Sequence, residues 1–307
     1  MRWPRARDTG AVAEPAPASP GEPPDPSGPL VPRRARAGRN LPLAIATAVL
    51  LGGALVGALL WSPAVFLAFL LVIVVLALLE LVTVQRARGT GPSRLVVFAS
   101  APLLVLGAYW KGPAALSFGL LVVLLAAFAW YLVIPTRVEV TRNVAATVFA
   151  SVYVPFMAAH LALVLGRVPH YVGAIIGYAL LTVVYDTAAY ASGVLFGRHP
   201  MAPAVSPNKS WEGTFGATCA CLVAGGYVLP LWQPWRFDSG LTLAALACVI
   251  APLGDLAESM LKRDLAVKDM GSTLPGHGGW LDRIDALLLM APVLYYVLAL
   301  YHLVRHP

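Results

Sequence analysis

The stretch A-V-F-L-A-F-L-L-V-I-V-V-L-A-L-L-E-L-V-T-V, residues 64–84, is apolar throughout except for one charged side chain, Glu80, and Thr83. About 20 such residues are needed for an α-helix to cross a bilayer core, where each backbone N–H and C=O must be satisfied within the segment. The stretch therefore predicts a transmembrane helix. Comparable runs stand at 43–61, 95–110, 114–134, 143–165, 171–195, 213–232, 241–260 and 284–303. Only Trp61-Ser62-Pro63 separates the first from the second, which predicts a tight helical hairpin. The expected fold is all-α: a polytopic integral membrane bundle of nine transmembrane helices.

Composition agrees. Of 307 residues, 59% are hydrophobic and 12% charged, with a mean hydropathy of +0.74. Soluble domains carry about 25% charged residues, so the soluble classes are set aside. Residues 1–40 differ from the rest, with nine prolines, seven arginines and little apolar surface to bury. They read as a disordered Pro/Arg-rich cytosolic tail, and 41–307 as the membrane-embedded domain. No apolar run follows the start, so this segment is not read as a signal peptide.

Charge placement sets the orientation. With the N-terminus in the cytosol, the inner loops hold eleven Lys and Arg and the outer side only Lys111, Arg167, Arg236 and Arg305. Cytosolic loops are enriched in positive charge, so this orientation is the expected one. The net charge of +7 follows from this topology and is no sign of nucleic-acid binding. Cys219, Cys221 and Cys248 all fall in apolar runs without a partner motif and read as core residues.

Two polar islands, 186–213 and 255–285, interrupt the apolar chain, and both fall on the cytosolic side. In the second, Asp255, Glu258, Ser259 and Lys262 share one helical face at spacings of three or four. Then come Lys262-Arg263, Lys268-Asp269, a Gly- and Pro-containing loop over 271–279, and Asp282, Arg283 and Asp285 opening the last helix. Carboxylates such as Asp255 and Asp282 can hold a divalent cation, and Lys262, Arg263 and Lys268 can neutralise phosphate oxygens. Phosphoryl or nucleotidyl transfer needs mainly such positioning and neutralisation. The bland alternative is a juxtamembrane loop with salt bridges and a basic rim.

This island resembles the signature of the phosphatidate cytidylyltransferases (CDP-diacylglycerol synthases). Ser259, Lys262-Arg263, Lys268-Asp269, Pro275, His277-Gly278-Gly279, Asp282-Arg283 and Asp285 match at every fixed position. The first island adds Asp186, Ala189-Tyr190, Gly193, Phe196-Gly197, Ser206-Pro207-Asn208-Lys209-Ser210 and Glu212-Gly213, with Asn208 in place of a frequent Lys. The resemblance spans about 170–300. It implies transfer of a cytidylyl group from CTP to phosphatidic acid at the cytosolic face of a bacterial plasma membrane. It also implies a magnesium site on Asp255 and Asp282, an associated monovalent cation such as potassium, and a homodimer. Lys209, Lys262 and Arg263 would bind phosphate. Asp186, Ser206, Ser210, Glu212, Ser259, Lys268, Asp269, His277, Gly278, Gly279, Arg283 and Asp285 would line the substrate site, with Glu212 paired to a lysine.

Single residues carry further expectations. Asp186 sits either at the nucleotide or metal site or in a pair with Arg198. Glu80 bonds to a neighbouring helix or snorkels. His160 packs between helices or sits at the interface, and Trp61, Trp110, Trp130, Trp232 and Trp235 anchor helix ends at the interface. Two rival functions stand beside the synthase: a CTP-dependent enzyme with another lipid acceptor, and a transporter. Against the latter, no internal repeat is visible and the polar residues gather at one face.

Overall fold

The computed structural model describes residues 41–134, 139–202, 206–271, 273 and 278–304. The expected tail and His277 lie outside them. The chain runs through α1 (Leu41–Trp61), α2 (Pro63–Ala87), α3 (Arg94–Lys111) and α4 (Pro113–Val133). Next come α5 (Val140–Ser151) and α6 (Met157–Arg167), which a π-helical turn at Val152–Phe156 joins into one span. Pro155 sits inside that turn, where its missing N–H and ring force the ladder to widen. The remaining helices are α7 (Tyr171–Phe196), α8 (Trp211–Val223, continued to Leu231 by tighter and wider turns), α9 (Phe237–Asp264) and α10 (Leu281–Leu300).

Among the described residues, eight spans are long and apolar enough to cross a membrane, and α1 adds the shorter apolar stretch Val49–Trp61. The predicted polytopic helical bundle is therefore the observed fold. The hairpin between α1 and α2 has a local cause: Ser62 accepts from the Val65 N–H at 3.2 Å, and Pro63 occupies the first helical turn.

Helix α3 packs on α4 and α6, α6 on α10, α10 on α9, and α7 on α8. Leu78, Leu81, Leu104, Leu163, Leu181, Leu243 and Met290 are fully buried between them. His160 follows its packing expectation: its ring nitrogen lies 3.0 Å from the Phe156 carbonyl, and the ring packs against Tyr295 and Tyr296. Trp61 and Trp110 are exposed, as interfacial anchors should be. Trp235 is a correction. It is buried, and its indole N–H donates to the Gly173 carbonyl at 2.9 Å, so it fastens a loop to α7 instead of facing the interface. All three cysteines are free.

The two polar islands are less loop-like than their sequence suggested. Helix α7 continues through Asp186, Tyr190 and Gly193, and α9 through Asp255 to Arg263. Between α7 and α8 stands a short antiparallel hairpin, β1 (Pro200–Ala202) with β2 (Ser206–Ser210). Hydropathy does not register so short a strand pair.

Candidate active site

The first island is organised by the start of α8. Ser210 caps that helix, its Oγ accepting from the Gly213 N–H at 3.1 Å. Glu212, in the first turn, reaches back over the hairpin. Its carboxylate accepts from the Arg198 and His199 backbone N–H groups at 3.1 and 3.2 Å and lies 2.6 Å from His199 Nδ1. The expected lysine partner of Glu212 is thus corrected to His199, which the hairpin places beside it. Arg198 does not pair with Asp186 either. Ser206, at the start of β2, is partly buried and pairs with Ala202.

The second island is held by carboxylates. Asp282, in the first turn of α10, accepts from the Gly279 N–H at 2.8 Å and the Met270 N–H at 3.0 Å. A carboxylate reaching back to free N–H groups at a helix start both caps the helix and suits its positive end. Lys262 lies between Glu258 and Asp282, bonding to the former and standing 3.0 Å from the latter. The spacing of Glu258 and Lys262 on one helical face, read from sequence, becomes a contact here. Gly278 adopts φ +81, a left-handed conformation that glycine takes without a Cβ clash. Arg263, Lys268 and Asp269 are exposed, Ser259 is partly buried, and Arg283 is exposed at the start of α10.

The islands meet. Lys209 Nζ, from β2, lies 2.5 Å from Asp255 Oδ2 on α9, and both side chains are about one quarter exposed (28% each). Beside this pair opens a cavity of about 640 Å³. Its length is walled by apolar residues of α1, α2, α6, α7 and α10, among them Leu55, Phe69, Ile73 and Leu161. One end carries Asp186, Asp255, Asp282, Arg283 and Asp285. The site thus combines an apolar channel with a charged terminus built from three different helices.

Hard carboxylate oxygens of this kind suit magnesium, which commonly keeps waters and takes one or two carboxylates plus phosphate oxygens. Among the described residues, no group of three or more His, Cys, Asp or Glu side chains is placed to hold a metal ion. Asp255 and Asp282 both line the cavity, so a cation held by these two carboxylates would draw the rest of its shell from substrate and water. Glu258 also keeps a buried oxygen, Oε1, without a hydrogen-bond partner. Asp255 has Lys209 as its hydrogen-bond partner and opens on the cavity, whereas both Asp282 oxygens accept from donors within the fold.

One site residue escaped the motif reading in its role: Glu80. It lies on α2, far outside the matched segment, yet accepts from the Thr273 hydroxyl at 2.5 Å and the Leu281 N–H at 3.1 Å. Its only sequence signal was that it is a lone carboxylate in an apolar run.

Comparison with known proteins identifies the family. The model of the Cytidylyltransferase family matches residues 43–301. The phosphatidate cytidylyltransferase of Mycobacterium leprae is 35% identical over 292 residues, covering 86% of this chain and 89% of that one. Its counterpart from Mycobacterium tuberculosis is 34% identical, covering 86% and 84%. That of Haemophilus influenzae is 39% identical over 155 residues, covering 48% and 54%. With a family match over nearly the whole described chain and relatives of this coverage, the protein belongs to the cytidylyltransferase family.

Proposed function

We propose that this chain transfers a cytidylyl group from CTP to phosphatidic acid, releasing pyrophosphate and leaving CDP-diacylglycerol in the membrane. The observation that carries the reading is the cavity whose apolar walls end in Asp186, Asp255, Asp282, Arg283 and Asp285. Such a shape suits a substrate with acyl chains at one end and a phosphate at the other. In the reaction, an oxygen of the lipid phosphate forms a bond to the α-phosphorus of CTP. The bond from that phosphorus to the bridging α–β oxygen breaks, and its electrons leave with pyrophosphate. The nucleophile is already an anion, so no strong general base is required.

The residues divide the work by their remaining capacity for bonding. An ammonium group has three N–H donors. Lys209 spends one on Asp255 and can turn the others to phosphate oxygens. Lys262 spends two, on Glu258 and Asp282, and so acts more as a brace with one donor to spare. Arg263, Lys268 and Arg283 form no ion pair among the described residues and add positive potential around the phosphates. Asp255, with Asp282, would hold magnesium, which when bound neutralises charge developing between the α-phosphate and the leaving group. A monovalent cation beside it, and assembly as a homodimer, belong to the same proposal through the family resemblance. The eleven-to-four charge split supports a cytosolic active site in a bacterial plasma membrane.

The test is direct. Purified protein in lipid nanodiscs is given α-labelled CTP and phosphatidic acid, with magnesium or with excess EDTA. Labelled CDP-diacylglycerol and equimolar pyrophosphate are expected with magnesium only. Transfer to a polyprenyl phosphate or dolichol but not to phosphatidic acid would replace the acceptor. No transfer to any lipid would defeat the reading.

A further inference from the structure

Glu80 is 7% exposed and projects from α2 some seven residues before that helix ends. A carboxylate inside an apolar helix is costly unless it is satisfied. Its partners are unusual in their distribution. Thr273 donates to one oxygen from the loop after α9, and the Leu281 N–H donates to the other from the first residue of α10. Leu281 is one of the helix-start positions whose N–H lacks an intrahelical acceptor, so Glu80 caps α10 from another helix. Gly271 and Gly279 press on the same carboxylate, and a Cβ at either position would overlap it. The backbone at Gly271 and at Gly279 therefore lies directly against Glu80.

A second contact from α2 points the same way. Arg88, immediately after the helix, donates from Nη2 to the Ala266 carbonyl at 2.6 Å. Ala266 has φ +47, a left-handed conformation that a Cβ disfavours and that needs support. Thus α2 grips the turn after α9 with Arg88 and the glycine segment with Glu80. Asp282 also grips this region, through the Met270 and Gly279 N–H groups. The two carboxylates do different work: Asp282 lines the cavity, while Glu80 is not among its lining residues and bonds to Thr273 and Leu281.

We infer that Glu80 is a positioning residue for the cytidylyl-transfer site: it holds Gly271, Thr273, Gly279 and Leu281 so that Gly278, Asp282 and Arg283 present their groups to the nucleotide. This rests on the reading above that the segment binds the substrate phosphates. Glu80 touches no reacting atom, so its effect should pass through the loop.

Two measurements on the full-length protein in nanodiscs decide it. Glu80→Gln keeps the shape but replaces one acceptor oxygen by an NH2 group, which cannot accept from Thr273 or Leu281. Glu80→Ala removes both acceptors, and Gln is the fallback should Ala fail to fold. Hydrogen–deuterium exchange over 268–282 should become about fivefold faster or more in Glu80→Gln, with α3–α6 unchanged. Exchange indistinguishable from the parent protein would overturn the inference, whether or not the protein proves active. The second measurement is a cycle with Thr273→Val, read in kcat/KM for CTP. If each single change costs about tenfold, the double should cost far less than a hundredfold, because both act through one contact. Full multiplication of the two losses would also overturn it. Absence of cytidylyl transfer in the parent protein would instead strike the functional reading, and the exchange experiment would still decide the clamp.

Discussion

Lys262→Met tests the electrostatic core of the site most severely. Lys262 stands between Glu258 and Asp282; its own side chain is 17% exposed and each carboxylate only 3%. Methionine preserves the length and apolar stem but removes the charge and all three donors. Two carboxylates would then face each other with little water. Breaking a buried pair by removing one partner typically costs about 3–5 kcal/mol, far more than the pair contributes relative to an apolar replacement. Glu258 can limit the loss by taking up a proton, which sets the expectation toward the lower figure, about 3 kcal/mol. The assay is reversible unfolding in mixed micelles at rising SDS mole fraction, followed by tryptophan fluorescence, alongside CTP turnover. Adding Glu258→Gln to the Met variant removes one of the two stranded charges and should recover about 1–2 kcal/mol. A Lys262→Met protein within 0.5 kcal/mol of the parent, roughly the scatter of surface changes, would refute the idea that this lysine braces buried carboxylates. So would a Glu258→Gln addition that lowers stability further.

Further changes separate the remaining roles. Asp255→Asn should abolish magnesium-dependent turnover at a stability cost below about 1 kcal/mol, since its pair with Lys209 is partly exposed. Asp282→Asn should abolish turnover too but also lose about 1–3 kcal/mol, because its carboxylate organises two backbone N–H groups and Lys262. Equal stabilities of the two variants would contradict that division. Lys209→Met should lower kcat/KM for CTP by roughly 10- to 100-fold, the worth of a charge-assisted phosphate contact, while fold and lipid extraction stay unchanged. Gly52, on the cavity wall in α1, has open space where a Cβ would stand. Gly52→Phe should therefore fold normally yet raise KM for long-chain phosphatidic acid more than for a dioctanoyl form; equal effects on both would place the acyl chains elsewhere.

The order of helices, and the position of the charged motif, could be read from the chain because both signals are local. A transmembrane run such as 64–84 declares itself through some twenty consecutive residues, and the bilayer demands nothing longer in range. The charged motif from Ser259 to Asp285 is equally local, and even the pairing of Glu258 with Lys262 follows from helical spacing. Side-chain partners across the fold are another matter. The partnership of Glu80 with Thr273 and Leu281 joins positions about two hundred residues apart, and hydropathy records only that a carboxylate sits there at a cost. Glu212 finds His199 and not a lysine because a hairpin too short to show in composition turns that histidine toward it. Trp235 has the sequence context of an interfacial anchor and is buried because a loop packs onto α7. The sequence by itself determined a polytopic helical bundle and predicted a cationic, carboxylate-rich face. Only the packing of α2, α7, α9 and α10 decided that Lys209 meets Asp255, that the carboxylates close one end of an apolar cavity, and that α2 holds the loop in place. Those contacts depend on distances in space that no local pattern encodes.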